Sequence, residues 1–335
     1  MKIRRRLIPT AALAALSLTA VSACSSDSAG AGNAGGSDKF DVVASFYPMQ
    51  FLAEQIGGDH VNVTTLTEPG QEPHDLEISA KQTAQLQEAD AILYLKNLQP
   101  SVDEAVAQAD VGSKVDAATL TKLEDHGDVE HEHGHEGEEH AEGEEHAEDE
   151  HAGEEEHAEE GGHALDPHVW LDPVKYAEIA KGVGAAFEKA DPGHAADYKA
   201  NTQALVGKLN ALDAEFADGL KDTRTKVFFT NHAAFGYLAE RYGLTQEAIS
   251  VSPEGEPSPA RIKELQSEAR ADGVTTVFYE TLVSDRTAKT LAKDAGLKTD
   301  VLDPLEGITD KSKGDDYIQV MESNLSALKS ALGAK

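Results

Sequence analysis

Three histidines and one aspartate could act together as metal ligands. They are His74 in Glu72-Pro73-His74-Asp75, His168 in Asp166-Pro167-His168-Val169-Trp170, His232 in Thr230-Asn231-His232-Ala233, and Asp303 in Leu302-Asp303-Pro304-Leu305. Each sits in a proline-stiffened loop or directly after a short run of strand-forming residues. Three imidazole nitrogens and one carboxylate oxygen make a tetrahedral set that suits zinc, whereas manganese and magnesium take more oxygen. A single loop histidine is ordinarily only a polar turn residue, and His60 and His194 are read that way. The conjunction of the four is what points to a metal. Glu280, which ends the run Thr275–Tyr279, is placed to hold a ligand imidazole through its other nitrogen, a support such sites require.

A second feature has the same chemistry in a different form. From His126 to His163 the chain is built almost wholly of Glu, Asp, His, Ala and Gly, with no Lys, Arg or aromatic residue. It carries His126, His131, His133, His135, His140, His146, His151, His157 and His163. Such a segment cannot bury enough apolar surface to offset its ordering entropy, so it is expected to be disordered. Imidazoles among carboxylates attract zinc, copper or nickel. Without fixed geometry they are expected to bind several ions weakly and to pass them to a better-organised site.

The formal charge of −32 argues against nucleic acid or an anionic lipid surface as a partner and fits a protein that concentrates cations. The N-terminus reads as a secretory leader: Lys2 and Arg4-Arg5-Arg6, then an apolar run from Leu7 to Ala20 that is too short to span a bilayer comfortably. The leader closes in Val21-Ser22-Ala23-Cys24, which resembles a bacterial lipobox, and Cys24 is the chain's one cysteine. Cys24 is therefore expected to carry lipid, with no disulfide and no cysteine cluster for a metal. The protein would then sit outside the cytoplasm, held to the outer face of the cell membrane.

These side chains must be positioned by the folded part. Runs at Asp41–Ser45, Val61–Leu66, Ala91–Leu95, Lys226–Thr230, Thr275–Tyr279 and Thr299–Leu302 read as strands. They alternate with helical patterns at Met49–Ile56, Ser79–Glu88, Pro259–Ala271 and Asp285–Ala295. That alternation predicts an α/β fold with mostly parallel sheets covered by helices. After Asp191-Pro192-Gly193, apolar groups recur at Tyr198, Thr202, Leu205, Leu209, Leu212, Phe216 and Leu220, one helical face over about 26 residues and about 39 Å. The expected organisation is a leader at 1–23, a tether at 24–38, an N-terminal lobe at 39–193 carrying the His/Glu-rich insert at 124–163, a linking helix at 194–223 and a C-terminal lobe at 224–335. Ligands gather beyond the carboxyl ends of strands in such sheets, so the site would lie in the cleft between the lobes.

The stretches Pro73-His74-Asp75, DPHVWLDP around His168, NHAAFGYLA around His232, SPEGEPSP at 252–259 and LDPLEG around Asp303 resemble the zinc-uptake solute-binding lipoproteins of ABC transporters, the ZnuA-like and TroA-like cluster. The resemblance runs over essentially all of the chain after Cys24. It implies two α/β lobes bridged by one long helix, with His74, His168, His232 and Asp303 as ligands. It also implies that a charged, His-rich insert ahead of DPHVW marks a zinc importer. Manganese-selective relatives usually carry Glu where His232 stands, so that histidine favours zinc. Some zinc members complete the shell with water or a glutamate near the first histidine; Glu72 is two residues from His74, not beside it, and is not promoted.

Two other classes fit the sequence less well. A zinc hydrolase would need an open coordination position, and HExxH and GxSxG are both absent. A manganese carrier, or a surface adhesin of the same family, is the nearer alternative. The mechanism expected is capture without chemistry: a monomer takes zinc into the cleft and yields it to a membrane permease with its ATPase. Protons compete for imidazoles, so affinity is expected to fall as pH drops through roughly 6.5.

Overall fold

The structure, a computed structural model, describes residues 39–126, 165–250, 252, 253, 255 and 257–335. The expected leader, Cys24, the tether and the tract histidines from His131 to His163 lie outside the described residues. Two four-stranded parallel sheets account for the strands. In the first, β1 (Phe40–Ala44), α1 (Tyr47–Gly57), β2 (Val61–Thr65), α2 (Ala80–Glu88), β3 (Ala91–Tyr94), α3 (Pro100–Gln108) and β4 (Ser113–Asp116) follow one another, with strand order β2-β1-β3-β4. Then come α4 (Pro173–Ala190) and the 26-residue α5 (Ala195–Leu220).

The second sheet repeats the plan. Its elements are β5 (Val227–His232), α6 (Gly236–Arg241), β6 (Thr245–Ser250), α7 (Pro259–Ala271), β7 (Thr276–Tyr279), α8 (Arg286–Ala295), β8 (Lys298–Val301) and α9 (Tyr317–Leu332), in strand order β6-β5-β7-β8. In both sheets the first strand lies where the winding reverses direction, and the crevice beyond such a strand is where open α/β sheets bind ligands. His232 is the last residue of β5 and so stands at that point.

Successive side chains of a strand face opposite ways, and the core divides accordingly. Val42 and Ala44 of β1, Ala91 and Leu93 of β3, and Phe228 of β5 join one large central core. Their neighbours Val43 and Ile92 belong to a smaller core on the far face of the first sheet, and Phe229 and Val277 to one on the far face of the second. The central core is shared by both lobes and is threaded by α5, whose buried residues are Tyr198, Thr202, Leu205, Leu209, Leu212, Phe216 and Leu220. This is the stripe read from the sequence. The helix packs on α1 and α4 of one lobe and on α9 of the other. A Cβ at Gly184 of α4 would come within 2.2 Å of Thr202 Oγ1, so only glycine permits that close crossing. With a common core, the described residues lie in one compact unit.

Local chemistry sets the helix ends near the site. Asp172 caps α4, its Oδ1 accepting from Val174 N at 2.7 Å, and Pro173 takes the first helical position. Ser79 and Gln82 form a reciprocal capping box at α2. The strands absent from the sequence reading, β4 and β6, are both sheet edges with mostly polar residues, Ser-Lys-Val-Asp and Thr-Gln-Glu-Ala-Ile-Ser.

Candidate metal centre

Four side chains from four separate parts of the chain converge at the crevice. His74 follows β2, His168 precedes α4, His232 ends β5 and Glu306 follows β8; one ligand atom of each lies within 4.8 Å of the others. His74 Nε2 and His168 Nε2 lie 3.1 and 3.2 Å from Glu306 Oε1 and 3.3 Å from one another. His232 Nδ1 lies 3.8 Å from the same Glu306 oxygen. A tetrahedral zinc with bonds of about 2.0–2.1 Å has ligand–ligand edges of about 3.3–3.4 Å, so the His74, His168 and Glu306 donors lie near the spacing of a zinc shell, with His232 somewhat further out. Two buried atoms, His232 Nδ1 and Glu306 Oε2, make no hydrogen bond, which is how ligands await an ion.

The three histidines foreseen from the sequence are thus brought together. Asp303 is not in the group, and the carboxylate among the imidazoles is Glu306, three residues further on. Asp303 is spent on its own turn: its Oδ1 accepts from Leu305 N at 2.9 Å, and its Oδ2 from Ser312 Oγ at 2.9 Å and Thr281 Oγ1 at 3.2 Å. Asn324 of α9 brackets the backbone, accepting from Asp303 N at 2.9 Å and donating to Asp303 O at 2.7 Å. Trp170 Nε1 then donates to Pro304 O at 2.7 Å, and Leu305 adopts a left-handed φ of 59°. Those restraints turn the chain so that Glu306, fully buried, faces the histidines. A sequence signal for it existed: an acid between Leu305 and Gly307 in a loop beyond a strand end.

The three histidines are held from outside the group. Asp166 Oδ1 accepts from both the backbone N–H and the ring Nδ1–H of His168, at 2.9 and 2.7 Å. That bond directs Nε2 toward the site. The His232 carbonyl is clamped by Thr230 Oγ1 at 2.7 Å and by Gln246 Nε2 at 2.8 Å. Glu280 is buried beside His232 and fixed by Asn231 Nδ2 at 2.8 Å, but its Oε1 lies 3.3 Å from Nδ1, the nitrogen that also faces Glu306, and not on the ring's other nitrogen as the sequence reading expects. Glu72 Oε1 accepts from the backbone N–H of His74 at 3.1 Å.

The charges are strongly shifted. Burial pulls the His168 imidazole down, but its bonds to Asp166 and Glu306 outweigh that and push it up to about 10. Burial would raise Glu306 and Asp166, yet hydrogen bonds from the histidines hold both well below the usual carboxylate range. Glu72, half-buried and facing the Glu306 charge, is pushed up to about 9. Without metal, a proton on His168 between two carboxylates stands in for the cation.

The site opens into a cavity of about 590 Å³ whose lining also includes His126, Asp166 and Glu240. His126 is the one tract histidine among the described residues. His60 and His194, given no role, stack at 4.1 Å and pair with Asp197 and Asp191.

A family model described as ZnuA, zinc-uptake complex component A periplasmic, matches residues 42–331. The chain belongs to this family. ZnuA-family proteins are solute-binding proteins, and the two parallel-sheet lobes here are theirs. The chain is 36% identical over 305 residues to the high-affinity zinc uptake system protein ZnuA of Bacillus subtilis, covering 89% of each chain. It is 37% identical over 302 residues to the zinc-binding lipoprotein AdcA of Streptococcus pneumoniae, covering 87% of this chain and 55% of that one. The chain therefore spans about half the length of the AdcA relatives it matches. The crystal structure of the Zn(II)-bound ZnuA-like domain of Streptococcus pneumoniae AdcA superposes with a TM-score of 0.69 at 34% identity, over 88% of this chain and 99% of that one.

Proposed function

We propose that this chain captures zinc outside the cytoplasm and yields it to an ABC-type import permease with its ATPase. The observation that carries the reading is the convergence of His74, His168, His232 and Glu306, the last three of them buried. Three nitrogens and one oxygen favour zinc over manganese. Asp303 braces the loop that presents Glu306, and Glu280 adds a second buried carboxylate beside His232 Nδ1. A full shell leaves no place for an activated water, so the chemistry is binding and release, not hydrolysis. Cys24 carries the lipid that keeps the protein at the membrane surface, in keeping with the lipoprotein relative.

The shared core and the α5 rod oppose wide hinge opening, so release proceeds by local movement of the His74 loop, the one ligand loop with a partly exposed side chain (24%). The test is metal competition in native mass spectrometry on residues 25–335. One zinc retained against excess manganese, and lost in His168→Ala, is expected. Displacement by manganese would contradict it.

A further inference from the structure

The structure assigns a second divalent-cation site to this chain, at the mouth of the same cavity, formed by Glu124, His126 and Glu240. One ligand atom of each lies within 4.8 Å of the others. The inference rests on the zinc-capture reading and adds to it the place where an ion is held before it reaches the inner shell.

The arrangement is built from three elements. His126 Nδ1 donates to Asp166 Oδ2 at 2.8 Å, and its Nε2 lies 2.9 Å from Glu240 Oε2, on α6. The ring stands edge-on to Tyr237 with centroids 4.3 Å apart. The Tyr237 hydroxyl accepts from Glu124 N at 2.8 Å and donates to Asp166 O at 2.8 Å, while Asp166 N donates to Glu124 O at 2.9 Å. The two strands of chain that enter and leave the histidine-rich tract are therefore tied to each other and to α6. Glu124 is fixed by Lys175 Nζ, 3.0 Å from Oε1. Gly236 leaves the room: a Cβ there would meet His126 Cγ at 2.6 Å and Asp166 Oδ2 at 2.7 Å.

Two consequences follow from coordination chemistry. With Nδ1–H given to a carboxylate, His126 presents Nε2 to an ion that replaces its contact with Glu240, as His168 does in the inner shell. The mouth site offers three protein ligands and open positions for water, and the Glu240 side chain is 57% exposed. It holds an ion more loosely than the closed inner shell and exchanges it faster. Asp166 is common to both, with Oδ1 on His168 and Oδ2 on His126. One carboxylate thus orients a ligand of each ion, which couples their occupancies.

Anomalous diffraction at the zinc edge, on crystals of residues 25–335 grown with zinc alone, tests this directly. Two peaks are expected: one among His74, His168, His232 and Glu306, and one about 2.0–2.1 Å from His126 Nε2. A brief chelator soak should remove the mouth peak first. Glu240→Gln should abolish the mouth peak and keep the inner one, and Asp166→Asn should lower both. A full inner site beside an intact, metal-free His126–Glu240 pair would overturn the second site alone. An empty inner site would overturn the zinc-capture reading itself.

Discussion

The inner centre and the cavity mouth use the same side-chain types to opposite ends. In the inner centre His168, His232 and Glu306 are almost wholly buried; Asp166 braces the His168 ring, and Thr230 and Gln246 hold the His232 backbone. At the mouth, His126 is 18% and Glu240 57% exposed, and Glu124 is held by a lysine at the surface. Burial makes an unpaired ligand costly, so the inner shell is shaped to be completed by an ion. Exposure lets water and lysine satisfy the outer ligands, so the mouth can take an ion and let it go. Asp166 touches both, with one oxygen on His168 and the other on His126.

That contrast can be broken or sharpened by substitution. The largest effect is expected from His232→Ala. It should lower zinc affinity by more than the about 10- to 100-fold typical of supporting residues, read by competition with a fluorescent chelator. Asp166→Asn comes next, with a loss of about 10- to 100-fold, because His168 loses the carboxylate that fixes its tautomer. An unchanged affinity there would mean that His168 needs no brace.

pH separates the two regions further. His168 is pushed up to about 10 in the metal-free protein, so it is protonated across the neutral range and zinc must displace that proton. Affinity should therefore rise with pH from 6 toward 9, by up to about tenfold per unit for one displaced proton. This window reaches well above the 6.5 expected for a free imidazole. Proton release measured calorimetrically in buffers of different ionisation enthalpy checks it; a flat profile contradicts it. Gly236→Ala, which drives a methyl into His126 and Asp166, should disturb the mouth while leaving inner affinity within about tenfold, the low end of a support loss. The smallest effect on the inner centre is expected from Glu240→Gln, visible only as a lost second ion.

Much of this was legible in the sequence, for identifiable reasons. The α5 stripe survived intact because a buried helical face leaves a strict three-and-four spacing from Tyr198 to Leu220. His74, His168 and His232 could be found because stiff loops at strand ends limit where such residues can point. Edge strands β4 and β6 could not, since a half-solvated edge needs no apolar run. Asp303 and Glu306 show the harder limit. Both are acids in one loop, and choosing between them depends on Trp170, Ser312, Thr281 and Asn324, which tie down Asp303 from distant parts of the chain. His126 likewise reads as one more histidine of its tract, and only long-range bonds to Asp166 and Glu240 set it apart.

The most direct test of the inner centre compares zinc affinity in Glu306→Gln and Asp303→Asn, measured side by side in residues 25–335 by chelator competition. Glu306→Gln should weaken zinc by more than about 100-fold, while Asp303→Asn, which keeps a side-chain oxygen for Leu305, should stay within about tenfold. The reverse order would make Asp303 the ligand and contradict the four-residue shell described here.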